Sequence, residues 1–488
     1  MSTEIQMEKY RPKFHFTPPA NWMNDPNGLV YFDGEYHLFY QYYPYGTTWG
    51  PMHWGHAVSR DLLNWEHLPI ALAPDEQGMI FSGSAVVDWN DTTGFFNGKP
   101  GLVAIFTHHA HQAESTSKEC QSIAYSKDSG RTWIKYKGNP VLTSAQYNDY
   151  RDPKVFWHKE TKQWIMILAC GQTVCLYHSS NLKDWSFGSE FGEGIGSHDG
   201  VWECPDLFAL PLDGEGTKLT WVMFVSIANE SGIKEGSRTQ YFTGQFDGRV
   251  FVPDHASRTI RWLDHGRDNY AGVSWSDIPE EDGRRIYIGW MSNWKYANVT
   301  PTEGWRSAMT IPRELTLESR NGDIALIQRP VRELDAFKVL LIEVDGNALS
   351  ELHSLCKDLQ LETYEIVAEF ELKKDVESFG FKIRTSEQEE TVVGYSVKDG
   401  AIFVDRSRSG VIDFHEDFSG RHQATLQPDH QRVKLHLLID RSSVEVFSDD
   451  GRTVITELIY PSPSALGLSF YCHGEIELAY KVKIYKLF

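Results

Sequence analysis

The stretch Trp22-Met23-Asn24-Asp25-Pro26-Asn27-Gly28 leads directly into the apolar run Leu29-Val30-Tyr31-Phe32. The same order of an acid, a proline and an apolar run occurs twice more, at Arg151-Asp152-Pro153 and at Trp202-Glu203-Cys204-Pro205. Short apolar runs bounded by Gly, Pro, Asn and Asp are typical of β-strands. The repetition predicts one structural unit, used several times, that places an acid at the start of a strand.

A second feature repeats along the same part of the chain. Polar turns that close on a tryptophan occur at 59–65, 126–133 and 180–185. Together with the acid motifs, they predict that innermost strands begin near five residues: Asp25, Ser82, Asp152, Glu203 and Asp268. Starts spaced by roughly 50 to 70 residues are typical of a β-propeller, whose blades are four-stranded sheets. We therefore predict five blades whose inner strands aim the three acids at one end of the central channel.

The character of the sequence changes after residue 330. Trp305 is the last of 16 tryptophans, and alternating runs such as 435–440 and 444–447 follow. Such alternation is typical of a β-sandwich. The fold class is therefore predicted as all-β: a five-bladed β-propeller over 1–330, which carries the chemistry, a partly helical linker over 331–360, and a β-sandwich over 361–488.

The composition of the chain argues against some kinds of binding partner. The 488-residue chain has a net charge of −20, which argues against binding to nucleic acid or to an anionic membrane. No apolar run approaches the roughly 18 residues that span a bilayer, and 1–14 shows no signal peptide. We expect a cytoplasmic protein as the sequence is written, or a secreted one if a signal has been removed. The 22 Tyr and 26 Phe fit either sugar stacking or ordinary strand packing.

Metal and cofactor motifs are weak. None of the six cysteines forms a Cys-x-x-Cys pair, so free and mostly buried thiols are expected. His108-His109-x-His111 is followed by a polar loop, which disfavours a metal site. Gly192-x-Gly194-x-Gly196 lacks the strand-to-helix context of a dinucleotide loop. We expect neither a metal nor a cofactor.

The three acids differ in their neighbours. Paired acids without a metal are typical of glycoside hydrolysis, which needs one protonated and one ionised carboxyl. Asp25 lies in a turn-forming sequence that would supply backbone donors and keep it ionised, as a nucleophile requires. Glu203 has apolar sequence neighbours that would raise its pKa, as a general acid requires. Asp152 follows Arg151, which would keep it charged. Taken singly, each acid is equally compatible with a turn, a strand edge or a plain ion pair.

Polar and aromatic residues of the same region suit a sugar. Amide and hydroxyl groups match sugar hydroxyls, and Trp faces match sugar CH patches, although any single one is more often core packing. The candidates are Gln41, Trp49, Phe81, Ser82, Trp290 and Trp294. Either of the last two could contact a sugar.

The motifs together resemble the signature set of glycoside hydrolase family 32, which includes invertases, inulinases and levanases. The resemblance extends to 81–84, 290–294, 311–315 and 440–447. It implies a five-bladed propeller joined to a β-sandwich and a retaining reaction on β-fructofuranosides. It also implies roles: Asp25 as nucleophile, Glu203 as acid/base and Asp152 as transition-state stabiliser. The fructose pocket that it implies is formed by Trp22, Met23, Asn24, Gln41, Trp49, Phe81, Ser82, Arg151 and Trp290.

Within that family, 49–57 resembles the levanase and exo-inulinase branch. The leading hypothesis is release of terminal β-D-fructofuranosyl units from levan, inulin, fructo-oligosaccharides and sucrose through a covalent fructosyl-enzyme. The alternatives are a fructosyltransferase that uses the same intermediate and an endo-acting levanase or inulinase. A non-catalytic fructan-binding protein would need a damaged set of acids, and all three are present. The β-sandwich is expected to brace the propeller, with sugar binding or homo-oligomer formation through it as further possibilities.

Overall fold

The computed structural model describes residues 8–488 except for 112–116, 229–233, 255–258, 374, 427, 429–430 and 475–476. Antiparallel sheets repeat along the N-terminal two thirds of the chain. The first three blades comprise β1 (Asn21–Phe32), β2 (Glu35–Tyr43), β3 (His53–Ser59) and β4 (Glu66–Leu72); β5 (Met79–Val87), β6 (Leu102–His111), β7 (Ser117–Ser126), β8 (Ile134–Lys135) and β9 (Leu142–Thr143); β10 (Tyr150–His158), β11 (Gln163–Cys170), β12 (Thr173–Ser179) and β13 (Ser186–Phe191).

The last two blades share one sheet through a parallel contact between their strands. They comprise β14 (Trp202–Leu212), β15 (Glu215–Ile227), β16 (Arg238–Phe246) and β17 (Phe251–Pro253), then β18 (Tyr270–Ser274), β19 (Arg285–Met291), β20 (Trp305–Arg306), β21 (Ala308–Met309), β22 (Arg313–Arg320) and β23 (Asp323–Pro330). The fifth blade meets the first because β20 pairs with β1, and Ser276 exchanges backbone hydrogen bonds with Leu29 and Tyr31. The prediction of an all-β fold with five blades is confirmed.

All five inner strands carry a β-bulge near their start. In β1 the register moves by three residues, from Met23 to Pro26, while the partner strand moves by two. The same shift occurs in β5, β10, β14 and β18. A bulge leaves one residue out of the ladder and redirects its side chain. A proline fits the end of a bulge because it has no N–H to leave unpaired. The recurring acid and proline therefore mark bulges at one end of the channel.

The aromatic residues mostly fill the core. Five tryptophans are fully buried: Trp22, Trp54, Trp202, Trp275 and Trp290. Trp49, in contrast, is 39% exposed. Of the two explanations for the aromatic content, strand packing accounts for most of it, and only a few rings face the solvent where a sugar could stack.

The C-terminal domain is a sandwich of two antiparallel sheets. The first sheet has the order β24-β34-β25-β30-β31-β32 and the second β29-β28-β27-β26-β33. Their bounds are β24 (Lys338–Ala348), β25 (Tyr364–Glu371), β26 (Ser378–Thr385), β27 (Glu390–Ser396), β28 (Ala401–Arg408), β29 (Arg421–Thr425), β30 (Arg432–Ile439), β31 (Ser443–Ser448), β32 (Thr453–Leu458), β33 (Gly467–His473) and β34 (Glu477–Leu487). One α-helix is described, α1 (Leu349–Lys357), with short 3-10 turns at Ala297–Val299, Arg332–Phe337 and Asp449–Gly451.

The segment expected to be a partly helical linker, 331–360, is more regular than that. It contains α1, but β24 occupies eleven of its residues and pairs with β34, so this part belongs to the sandwich. Its sequence, KVLLIEVDGNA, mixes apolar and charged residues because β24 is an edge strand whose side chains are mostly exposed. The weak alternation that results conceals the strand.

A buried group of charges joins the two domains. Both ring nitrogens of His15 donate to carboxylates, Nδ1 to Asp440 Oδ2 over 2.8 Å and Nε2 to Glu445 Oε1 over 2.7 Å. Arg313, from the propeller strand β22, also donates to Glu445. The side chains of all four residues are fully buried. We call His15, Arg313, Asp440 and Glu445 the interdomain latch; it gives a structural reason for the motifs at 311–315 and 440–447.

The latch predicts a pH-dependent stability. Burial alone lowers the pKa of His15, but Asp440 and Glu445 raise it to about 9. The stabilisation by His15 is therefore complete below its unfolded pKa of about 6.5 and is lost as the pH rises through 9. We expect His15→Gln to lower the free energy of unfolding by roughly 2–3 kcal/mol at pH 6. Denaturant unfolding at pH 6 and pH 9.5 tests this, and an equal loss at both would contradict it.

Two further expectations concern cysteines and membranes. The expectation of free thiols is wrong for one pair, since Cys170 and Cys175 form a disulfide across β11 and β12. Cys120, Cys204 and Cys356 are free and buried. The five-residue spacing does not indicate this disulfide, because the two cysteines come close only when the chain folds into a hairpin. Within the described ranges, no helix has the length and apolar character needed to cross a membrane.

Candidate active site

A cavity of about 380 Å³ opens at the end of the channel where the bulges lie. This volume is typical of small-molecule sites. It is lined by Asn24, Asp25, Gln41, Trp49, Phe81, Ser82, Arg151, Asp152, Glu203, Ala228 and Trp294. The three acids come from β1, β10 and β14, so the geometric prediction that separate blades bring them together agrees with the structure.

Asp25 is held by side chains of neighbouring residues. Its Oδ2 accepts a hydrogen bond of 2.7 Å from the Ser82 hydroxyl, and its Oδ1 accepts one of 3.0 Å from the Asn24 amide. The sequence predicted a tight turn with backbone donors; instead the motif begins a twelve-residue strand, and the bulge provides the kink. Burial, and after it the Glu203 carboxylate, raise the pKa of Asp25 above its usual range.

Asp152 differs most from its sequence-based description. Arg151 was expected to pair with it, but successive side chains of a strand point to opposite faces, and the guanidinium contacts other acids. Asp152 Oδ2 instead accepts a 3.0 Å hydrogen bond from the Cys204 N–H. Burial and the Glu203 charge outweigh the attraction of Arg151 and raise the pKa of Asp152 to about 8. The direction of this shift is opposite to the one expected from Arg151 as a sequence neighbour.

Glu203 has polar rather than apolar neighbours. Its Oε1 accepts hydrogen bonds from Arg151, 2.9 Å from Nη2 and 3.2 Å from Nε. Its Oε2 accepts one from the Tyr270 hydroxyl. Trp202, the apolar neighbour in sequence, is fully buried and turned away into the core. The pocket thus offers Glu203 one cation and one neutral donor.

Cys204 lies beneath the acids. Its Sγ is 3.6 Å from Asp25 Oδ2 and 3.6 Å from Asp152 Oδ2, so the two carboxyl oxygens are no more than about 7 Å apart. Burial and the nearby acids raise the pKa of Cys204 well above its ordinary value, which keeps the thiol neutral and able to donate. Acids this close disfavour each other's ionisation, which is one cause of the raised pKa values of Asp25 and Asp152.

The aromatic wall differs from the favoured prediction. The structure places Trp294, not Trp290, on the cavity surface. Trp290 is fully buried behind it, with ring centroids 4.8 Å apart. Trp22 and Met23 are also fully buried; the Trp22 ring stacks on Trp294, and its Nε1 donates to Asn24 Oδ1 over 2.7 Å. These three residues support the wall rather than line it, because the bulge after Met23 turns only Asn24 and Asp25 inward.

The disfavoured motifs have structural partners. His108 contacts Ser122 at 2.8 Å and His109 contacts Glu119 at 3.0 Å, while the side chain of His111 lies outside the described residues. Among the described residues, no group of three or more His, Cys, Asp or Glu is arranged to hold a metal ion.

Other residues contact Glu203, contact Arg151 or line the cavity: Tyr270, Asp149, Glu119 and Trp294. Of these, the sequence indicated a possible role only for Trp294. Tyr270 lies two residues after Asp268, where a fifth inner strand was predicted, so inspection of that strand's start would have suggested it. Burial and Glu203 raise the pKa of Tyr270 well above its usual value, so the phenol donates throughout the accessible pH range.

Tyr270→Phe tests this hydrogen bond. The phenol donates to the Glu203 carboxylate, so its removal takes away a hydrogen bond that favours the ionised form. We expect the basic limb of the pH–rate profile to move upward by about half a unit to one unit, with a loss in kcat of roughly tenfold. Steady-state kinetics from pH 4 to pH 9 measures both effects. An unshifted limb would mean that Tyr270 only packs against Trp290.

A propeller that presents several carboxyls in a sugar-sized cavity, joined to a β-sandwich, defines the class: a carboxylate-dependent glycoside hydrolase. Comparison with known proteins identifies the family. The N-terminal domain of glycosyl hydrolases family 32 matches residues 15–330, and the C-terminal domain of the same family matches residues 341–486. The chain belongs to glycoside hydrolase family 32 and is an enzyme of that family, which confirms the resemblance seen in the sequence.

Individual relatives agree with this assignment. A levanase of Bacillus subtilis (strain 168) is 52% identical over 95% of this chain and 68% of its own length. A levanase of Bacillus sp. (strain L7) is 39% identical, and this chain spans about half of it, 52%. The crystal structure of an exo-inulinase from Aspergillus awamori superposes with a TM-score of 0.89 at 37% identity and covers 99% of both chains.

Proposed function

We propose that this chain is a retaining, exo-acting β-fructosidase that releases terminal fructose from levan, inulin, fructo-oligosaccharides and sucrose. The observation that carries the proposal is the convergence of Asp25, Asp152 and Glu203 in one cavity of about 380 Å³. The names of the relatives, levanase and exo-inulinase, support the substrate class.

In the first step, Asp25 is the nucleophile and Glu203 the acid. Glu203 gives its proton to the glycosidic oxygen as the bond from that oxygen to the anomeric carbon breaks. An oxygen of Asp25 forms an ester bond to the same carbon, and the remaining sugar leaves as an alcohol. Ser82 and Asn24, both hydrogen-bonded to Asp25, keep its oxygens pointed at the ring. The negative cluster favours the positive charge that develops on the fructosyl ring.

In the second step, water replaces the departed alcohol. Glu203, now ionised, takes a proton from the water as its oxygen attacks the anomeric carbon, and the ester bond to Asp25 breaks. Asp152 is proposed to stabilise both transition states through hydrogen bonds to ring hydroxyls, since the Cys204 N–H fixes its orientation. Arg151 orients Glu203 between the steps.

Time-resolved product analysis on levan, inulin and sucrose tests the function. Exo action predicts free fructose from the first minutes and a slow decline in polymer length. Early oligosaccharides of mixed length would instead indicate endo cleavage. Elongated fructo-oligosaccharides at high sucrose concentration would indicate a transferase, and no release from any of the three would overturn the proposal.

The division of labour between domains is part of the proposal. The propeller over 1–330 is proposed to hold the whole reaction, and the sandwich, which includes β24, to brace it through the latch. Self-association through the sandwich stays a proposal that light scattering of the full chain at two concentrations tests.

A further inference from the structure

Glu119 is an unassigned acid beside the site. It lies on β7, two strands away from the channel, and its side chain is only 1% exposed. A buried carboxylate so close to other acids is costly unless it is paired and hydrogen-bonded. Its partners therefore indicate what it does.

Every partner of Glu119 leads to the cavity. Its Oε1 accepts from Arg151 Nη1 at 3.3 Å and contacts His109 Nδ1 at 3.0 Å. Its Oε2 accepts from the Tyr150 N–H at 2.6 Å and from Arg151 Nη1 at 3.4 Å. The His109 ring in turn stacks on Phe81 at 4.2 Å, and Phe81 lines the cavity. One carboxylate thus fixes the start of β10, the Arg151 guanidinium and the support of an aromatic wall.

Arg151 is shared among three carboxylates. Besides Glu119, it donates to Asp149 Oδ1 at 2.5 Å and to Glu203. Burial opposes ionisation of Glu119, yet His109, Arg151 and the Tyr150 N–H outweigh it and lower its pKa. Glu119 therefore stays negative and offsets part of the positive charge of Arg151, which it shares with Glu203 and Asp149.

This balance matters because a guanidinium facing only Glu203 would draw the proton off that carboxyl. The other titratable groups facing Glu203 are Tyr270 from β18, Asp25 from β1, Asp152 from β10 and Cys204 from its own strand. None of these carries a positive charge. Arg151 is the cation that contacts Glu203 directly, so the acids that share its charge act on that carboxyl through it.

We propose that Glu119 is a positioning residue that holds and neutralises Arg151, so that Glu203 keeps its proton until the leaving group takes it. The inference rests on the proposed role of Glu203 as acid/base. It adds a residue from an outer strand to the machinery and explains why an arginine can lie beside a general acid.

Glu119→Gln tests the charge while it preserves the shape. We expect the basic limb of kcat/KM on sucrose to move to lower pH by about one unit, with KM changed by less than about threefold. Glu365→Gln is the matched control: this glutamate is also buried, contacts His436 at 2.6 Å and Lys338 at 3.2 Å, and lies in the sandwich. The control should keep the limb of the parent enzyme. A uniform loss of kcat without a shift in Glu119→Gln would overturn the proposal.

Asp149→Asn tests the same charge balance at a side chain that is 38% exposed, where folding is less at risk. The basic limb of kcat/KM of Asp149→Asn should also move to lower pH, by a smaller amount than that of Glu119→Gln. If Glu119→Gln fails to fold, an unshifted limb in Asp149→Asn overturns the proposal by itself. Failure of the parent enzyme to release fructose would overturn the function and this inference together, whereas an active parent with unshifted variants would overturn only the inference.

Discussion

Asp25→Asn is expected to lower fructose release from sucrose by about 10⁴-fold or more, because no other group can form the covalent bond to the sugar. The amide nearly matches the carboxylate in size, so the contacts with Ser82 and Asn24 are largely kept. Intact-mass measurement after rapid quenching adds a direct readout. The parent enzyme should show a fraction heavier by one fructosyl unit, and the variant should show none.

Stability provides the control for this variant. Burial and Glu203 raise the pKa of Asp25, so the fold loses stability as the pH rises from the unfolded pKa to the folded one, and it stays at that lower level above both. Asp25→Asn should therefore unfold at a higher temperature than the parent at pH 7. Lost activity with gained stability excludes misfolding as the cause. Activity within about tenfold of the parent would overturn the assignment of Asp25.

Glu203→Gln is expected to separate the two steps of the reaction. On sucrose the rate should fall by roughly 10²–10⁴-fold, because the leaving alcohol needs a proton. On an aryl β-fructoside, whose phenolate leaves without one, formation of the fructosyl-enzyme should be nearly unaffected and its hydrolysis slow. A burst of phenolate measured by stopped-flow absorbance would report this difference.

Azide distinguishes the two acids further. As a nucleophile that needs no general base, azide should restore turnover of the aryl fructoside in Glu203→Gln and yield fructosyl azide. It should not restore turnover in Asp25→Asn, which forms no intermediate. Equal losses on sucrose and on the aryl substrate, without rescue, would contradict the acid/base role.

Much of the fold could be predicted from local sequence. The acid and proline motifs fall at the start of inner strands because proline is tolerated where a bulge interrupts the ladder. The strand β24 could not be predicted well, since its inner face is only partly buried, at Ile342 and Val344, and a register shift after Leu340 interrupts the alternation. The disulfide between Cys170 and Cys175 required knowledge of the hairpin that joins them.

The sequence predicted most of the residues that lie in the site, but not which of them contact one another. Arg151 and Asp152 are adjacent in sequence, yet the guanidinium contacts Glu203, Asp149 and Glu119 instead. Trp290 and Trp294 belong to one motif and both pack near Trp22, yet only Trp294 lines the cavity while Trp290 is fully buried. Contacts between blades depend on the angle at which strands approach the axis, and no local pattern records that angle.

The bulge occurs in all five inner strands, whether or not the strand carries an acid. Relative to its bulge, Asp25 is the second looped-out residue, Asp152 the first, and Glu203 the residue just before it. The blades that supply no acid have the same bulge at Phe81-Ser82 and at Ala271-Gly272. The propeller therefore has five bulges of the same form around one axis, and each is a position at which a reactive side chain could be placed. In a redesigned propeller, a reactive side chain could be moved from one bulge to another while the strand pairing stays the same.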